Sequence, residues 1–228
     1  MTENGRGAFT KVGKDNGQSF YTFKKQLPQD GLTPEKGFNY EAVNLGVKSI
    51  ENRLVQLGYS IKVDGVFGPK VEAAIRDFQS RNGITVSGQV GYNTGPALWH
   101  DVIKGVGASY PFPASIAWGI MKQESAGDPG AVGYLTPGDR GLYQYNTLVH
   151  EIDYAQAHDF DWATEAVFVR LNQAWKKYMG HGPELRTNCT IAQHNAPAFA
   201  DEWFQNGVPP NDTIQNYVSK VQGFALTY

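Results

Sequence analysis

The stretch Val63-Asp64-Gly65-Val66-Phe67-Gly68-Pro69 reads as a tight turn that delivers the chain into a helix. It has a glycine near its tip and a proline suited to the first helical position. Val86-Ser87-Gly88-Gln89-Val90-Gly91 repeats that turn at an offset of 23 residues, and the same offset pairs Ala74 with Ala97 and Ile75 with Leu98. The matched glycines, Gly65 with Gly88 and Gly68 with Gly91, predict backbone of positive φ or close approach. Two copies this short must share one core. Before the first turn, Val47, Ile50, Leu54 and Leu57 fall at helical spacing, and Gly58 is placed to cap them. Val71, Ala74, Ile75 and Phe78 make a second helical stripe, stopped by Asn82-Gly83. Asn93 or Thr94 then caps a short third helix through Ala97 and Leu98. Residues 41–104 should therefore be a small three-helix bundle.

To the N-terminal side, residues 1–40 carry scattered aromatics (Phe9, Phe20, Tyr21, Phe23, Phe38) without a sustained period, and read as an irregular arm. To the C-terminal side, Lys104-Gly105-Val106-Gly107-Ala108-Ser109 reads as a junction, and residues 105–228 as a second domain. Helices are expected at 114–124, about 161–179, about 189–206 and around Tyr217, Val218, Val221 and Ala225. A Gly- and Pro-rich loop runs from Ser125 to Arg140. No alternating strand pattern is visible after residue 105, so the fold class is mainly α.

The chain has 228 residues, a net charge near −2 and a pI of about 6.2. That balance argues against a nucleic-acid binder working by counterion release and against a cationic membrane disruptor. The 26 glycines and 12 prolines imply many turns. A single cysteine, Cys189, excludes an internal disulfide framework and a Cys-rich zinc site. Neither an apolar N-terminal leader nor a run of membrane-spanning length is present, so synthesis in a cytosol without a signal peptide is expected.

The chemistry centres on Met121-Lys122-Gln123-Glu124-Ser125. Glu124 takes the i+7 place on a stripe begun by Ala117, Ile120 and Met121, which turns its carboxylate toward a core or cleft wall. Partial desolvation there would raise its pKa and suit it to general-acid work.

Residues 54–94, with Leu-Gly-Tyr, Val-Asp-Gly-x-Phe-Gly-Pro, Ala-Ile-x-x-Phe-Gln and Gly-x-Val-Gly-x-x-Thr in order, resemble the peptidoglycan-binding domain one family, a three-helix cell-wall module. The resemblance implies Asp64, Gly65, Phe67 and Gly68 as its characteristic turn; Ser87 stands where the family has Asp in the second copy. Four islands further on resemble soluble lytic transglycosylases and goose-type lysozymes (glycoside hydrolase family 23). They are Ile116 to Ser125, Gly141-Leu142-Tyr143-Gln144, Ile191-Ala192-Gln193-His194-Asn195-Ala196, and Gln215-Asn216-Tyr217-Val218-Ser219-Lys220-Val221. The likeness implies a lysozyme-like, mostly helical catalytic domain after the bundle. It makes Glu124 the acid that splits the β-1,4 bond between N-acetylmuramic acid and N-acetylglucosamine. Ser125, Tyr143, Gln144, His194, Asn195 and Tyr217 become the candidate sugar contacts. Three positions depart: His194 replaces a tyrosine, Pro197 a glycine, and Asn146 an Asp of goose-type lysozymes. Asp139 is then the remaining candidate base for hydrolysis; without it, Glu124 alone would drive a transglycosylation.

Two rivals stand beside this reading. A zinc peptidase or amidase needs ligand spacing that His100, His150, His158 and His181 do not provide, and a Cys189–His194 pair would lie on different faces of one helix. A non-enzymatic wall-binding or virion structural protein would keep the fold without the reaction. The expected partner is bacterial peptidoglycan. No metal, cofactor, nucleic acid or membrane insertion is implied, and a monomer is expected. Module order and the missing leader resemble phage endolysins, which act on the wall after release at host lysis.

Overall fold

The computed structural model describes residues 8–9, 19–21, 23–24, 40–133, 138–150 and 152–228. The arm's remaining residues, residues 134–137 and Glu151 lie outside the described residues. The fold is mainly helical, as its periodicities require. The helices are α1 (Tyr40–Gln56), α2 (Pro69–Arg81), α3 (Thr94–Gly107), α4 (Ala114–Glu124), α5 (Tyr154–His158), α6 (Phe160–Lys177), α7 (Pro183–Asn195), α8 (Pro197–Asn206) and α9 (Asp212–Ala225). Among the described residues, six short strands accompany them: β1 (Ala8–Phe9), β2 (Ser19–Tyr21), β3 (Phe23–Lys24), β4 (Val90–Gly91), β5 (Asp139–Arg140) and β6 (Tyr145–Asn146).

The chain divides into two compact units, one of residues 1–99 and 125–160, the other of residues 100–124 and 161–228. In the first, α1, α2 and the start of α3 enclose a core of Val47, Ile50, Leu54, Phe67, Val71, Ile75, Phe78, Leu98 and Trp99. Gly58 ends α1 at φ +90, with its N–H on Val55 O and that of Tyr59 on Leu54 O. Pro69 sits in the first turn of α2, where a missing N–H costs nothing. The arm contributes antiparallel pairs, β1 with β3 and β2 with β4, the latter carrying a bulge between Ser19 and Tyr21. Two-residue strands leave no period to read, and the same holds for the hairpin of β5 and β6, which carries no alternating pattern.

In the second unit α4 is buried from Ile116 to Met121. Gly119 permits close packing on α9: a Cβ there would come within 2.3 Å of Val221 O. The expected junction at 104–109 is helical as far as Gly107. Of its two glycines Gly107 serves packing, because an added Cβ would meet Ala114 Cβ at 2.5 Å and the Phe168 ring at 3.0 Å. The single helix expected over 189–206 is two. Ala196 leaves helical geometry at φ −149, ψ 83 ahead of Pro197, whose ring disfavours the α region in the residue before it.

Candidate active site and the repeated turns

The two repeated turns have one construction. Asp64 Oδ1 accepts from Val66 N–H at 3.0 Å, and Ser87 Oγ accepts from Gln89 N–H at 3.2 Å, so each side chain closes its own small turn. Gly65 and Gly88 follow at φ +77 and +72, the matched left-handed positions. A buried side-chain oxygen then takes two successive N–H groups in each turn. Glu51 Oε2 accepts from Asp64 and Gly65 at 2.9 and 2.7 Å, and Gln79 Oε1 accepts from Ser87 and Gly88 at 3.0 and 2.9 Å. Serine thus fulfils at position 87 the turn-closing duty of aspartate at 64. Gly68 departs from expectation: its φ is −93, and it serves as the N-cap of α2. Phe67 is fully buried and builds the core, whereas Asp64 is half-buried and its carboxylate meets Lys62 Nζ at 3.3 Å.

Gln79 closes the Ala-Ile-x-x-Phe-Gln element, no sequence signal marks Glu51, and the two differ in charge. Gln79 Nε2 donates to Gln89 O and Thr94 Oγ1 at 2.8 and 2.9 Å. Glu51 Oε1 is buried without a hydrogen-bond partner. Burial, only partly opposed by the two N–H bonds, pushes the Glu51 carboxyl up to about 7.

In the second unit, Glu124 closes α4 half-buried, and Tyr217 of α9 donates its O–H to Glu124 Oε1 at 2.6 Å. The two residues are 93 positions apart in sequence, and the close α4–α9 packing at Gly119 brings them together. Burial and then the adjacent Glu124 charge hold the Tyr217 phenol well above its ordinary range, so it stays a donor. Tyr217, a candidate sugar contact, is buried with its hydroxyl on the acid. His194 is half-buried and Asn195 exposed, in the last turn of α7. Cys189 is buried on the same helix, its thiol pushed up to about 11 by burial and then by Asp201, which removes the thiolate that a cysteine nucleophile requires. Among the described residues, no group of three or more His, Cys, Asp or Glu side chains is placed to hold a metal.

The remaining candidates belong to the first unit. Ser125 is buried; its Oγ donates to Leu142 O at 2.8 Å and accepts from Gly127 N–H at 3.1 Å, so the hydroxyl supports the chain where a sugar contact was expected. Tyr143, expected to line a groove, is fully buried instead. Gln144 is half-buried in a left-handed conformation at φ +49, its Nε2 donating to Gly141 O at 2.9 Å. A non-glycine residue there is strained, and such strain concentrates where a side chain must be presented. Asp139 is half-buried; Asn146 Nδ2 donates to its Oδ1 at 2.9 Å, while Arg140 Nη1 donates to its main-chain oxygen at 2.7 Å. The Asn146 amide therefore holds the Asp139 carboxylate in place.

Residues 44–98 match the family model described as "Putative peptidoglycan binding domain". That match supports a peptidoglycan-binding domain here, peptidoglycan as partner and association with the cell wall. It covers α1 from Asn44, both repeated turns, α2 and the opening of α3. Comparison with curated proteins returned no match.

Proposed function

We propose that the protein cleaves the glycan strand of peptidoglycan at the β-1,4 bond between N-acetylmuramic acid and N-acetylglucosamine, with Glu124 as the acid. The observation that carries this is the Tyr217–Glu124 hydrogen bond at 2.6 Å in a chain that also carries a peptidoglycan-binding domain. A half-buried carboxyl group fixed through one oxygen by a buried phenol is positioned as a general acid needs to be. Glu124 gives its proton to the leaving glycosidic oxygen as the C1–O bond breaks.

Two routes complete the reaction. In transglycosylation the muramyl 6-hydroxyl bonds to C1 and returns its proton to Glu124, leaving a 1,6-anhydro end. In hydrolysis a water adds to C1 and gives its proton to a base, for which Asp139 is the candidate. We extend the reading to a phage-type endolysin, a lysozyme or lytic transglycosylase made in a host cytoplasm that acts on the wall at lysis.

The test is Glu124→Gln on purified peptidoglycan, with mass spectrometry of released muropeptides. The variant should release no glycan fragments and should still sediment with walls. Anhydro ends from the wild type establish transglycosylation, and reducing ends, one water heavier, establish hydrolysis. Glycan release by Glu124→Gln at the wild-type rate would overturn the assignment, as would cut peptides on intact strands. A wild type that binds walls and releases nothing would establish a non-enzymatic wall-binding protein.

A further inference from the structure

The hairpin of β5 and β6 sorts its side chains by register. Asp139 pairs with Asn146 and Arg140 with Tyr145, and neighbouring residues of a strand face opposite ways. On one face Asn146 Nδ2 donates to Asp139 Oδ1. On the other, Arg140 is half-buried and its cross-strand partner Tyr145 is buried. Register therefore turns the Arg140 side chain away from the carboxylate next to it in sequence.

No other acid takes that place. Among the described residues Arg140 makes no ion pair; its Nη1 donates to Asp139 O at 2.7 Å, and its Nε is buried without a hydrogen-bond partner. Asp153, which caps α5, spends Oδ1 on the N–H groups of Ala155 and Gln156. The guanidinium instead lies over the Tyr154 ring, its central carbon 5.4 Å from the centroid. That contact orients the fork but supplies no anion. Holding a cation partly out of water without a counter-charge is unfavourable, so the arrangement suits an anion that arrives from outside. With Nε buried, the Nη end is the part a ligand reaches, and paired N–H groups there match the two oxygens of a carboxylate. The same segment suits a carboxylate carried on a short peptide. Leu148 and Val149 are 74% and 69% exposed, yet both of their N–H groups are fixed on Asn146 Oδ1 at 3.1 Å, which offers small apolar side chains an ordered surface.

We propose that Arg140, oriented by Tyr154, binds a free carboxylate of peptidoglycan. The hairpin is then a second wall contact in the compact unit that also carries residues 44–98. Stem peptides offer the group, and so does the lactyl arm of a muramic residue stripped of its peptide. The inference uses peptidoglycan as the partner and is independent of the reaction assigned to Glu124, so the two stand or fall separately.

The experiment is titration calorimetry of the full chain with four probes. They are a synthetic stem tetrapeptide and the disaccharide of N-acetylglucosamine and N-acetylmuramic acid, each as free acid and with its carboxylates amidated. At least one acid should bind tenfold or more tightly than its amide, and the preference should shrink as salt is raised. Preference within the peptide pair places the carboxylate on the stem, and preference within the disaccharide pair places it on the lactyl arm. Arg140→Gln should bring acid and amide to equal affinity. Arg140→Lys, which keeps the charge and loses the fork, should retain only part of the preference, as should Tyr154→Leu. The buried Nε–H of Arg140 gives a readout in the wild type that no variant's folding affects: its NMR signal should shift with the acid and not with the amide. Equal binding of acid and amide in both pairs, an unmoved Nε–H signal, or a preference that survives Arg140→Gln would overturn the inference.

Discussion

Replacing Glu51 by Gln isolates the effect of one buried charge. Glu51 is fully buried at the first turn, with its ordinary value of 4.5 pushed up to about 7 by burial. The charged group facing it from the turn is Asp64, whose negative charge acts in the same direction and is itself met by Lys62. Between pH 4.5 and 7 the folded chain holds a proton on Glu51 that the unfolded chain has released. Stability from this group is therefore complete below about pH 4.5 and is lost as pH rises through 7. Two and a half units correspond to about 3 kcal/mol at 1.36 kcal/mol each. Glutamine keeps an acceptor for the Asp64 and Gly65 N–H groups but places an amide donor where Glu51 Oε1 has no partner, at a cost of about 1–3 kcal/mol at every pH. Glu51→Gln should then be less stable than wild type at pH 4.5, and the gap should close or reverse by pH 8. For a chain of this size the melting-temperature difference between the two proteins should change by roughly 6–12 °C across that range. Differential scanning calorimetry at pH 4.5, 6, 7 and 8 reads it directly, because groups common to both proteins cancel. Parallel curves would show that Glu51 titrates alike in the folded and unfolded chains and refute the reasoning.

Three further perturbations probe other parts of the molecule. Tyr217→Phe removes the donor to Glu124 while keeping the ring; turnover should fall about 10- to 100-fold, the size of a hydrogen bond to a charged group, with wall sedimentation unchanged. Gly141→Ala forces a Cβ against Ala157 O at φ +72 and should lower the urea midpoint by the equivalent of 3 kcal/mol or more, on the order expected for overpacking combined with backbone strain. Cys189→Ala should retain full wall-lysing activity, and native Cys189 should react with iodoacetamide only after denaturation; loss of activity would revive a thiol mechanism.

What the sequence made legible follows its strongest physical signals. Helices α1, α2, α4, α6 and α9 carry apolar residues at 3.6-residue spacing with Gly, Asn or Pro at their ends, and they are found within a few residues of the expected bounds. Glycine misled where it served packing: Gly107 read as a linker because a missing side chain looks the same whether it frees the backbone or admits a neighbouring ring. Pro197 was visible, yet the apolar pattern running through it suggested one helix where there are two. At the candidate site, Glu124 was picked from its place on the α4 stripe, but its bond to Tyr217 joins residues 93 apart and no local period carries that. Ser125 and Tyr143 become candidate sugar contacts through the resemblance of their islands, which carries no signal of burial. Their burial depends on the fold of 125–160, a Gly-rich segment whose hydrogen bonds run to main-chain atoms.

The two repeated turns show where sequence asymmetry matters. Ser87 in place of an aspartate was the visible difference, yet a hydroxyl and a carboxylate oxygen close the same small turn at 3.2 and 3.0 Å. The consequential difference lies one contact deeper, in the acceptors on α1 and α2. Gln79 is neutral and uses both ends of its amide; Glu51 uses one oxygen and buries the other. A neutral acceptor makes its turn indifferent to pH, whereas a buried carboxylate couples its turn to proton uptake. The first turn, at Asp64 and Gly65, is thus held by a group that changes charge near neutrality, and the second is not. A repeat that is nearly symmetric in backbone is unequal in its response to pH, and that inequality traces to two residues, Glu51 and Gln79, that lie outside the turns themselves.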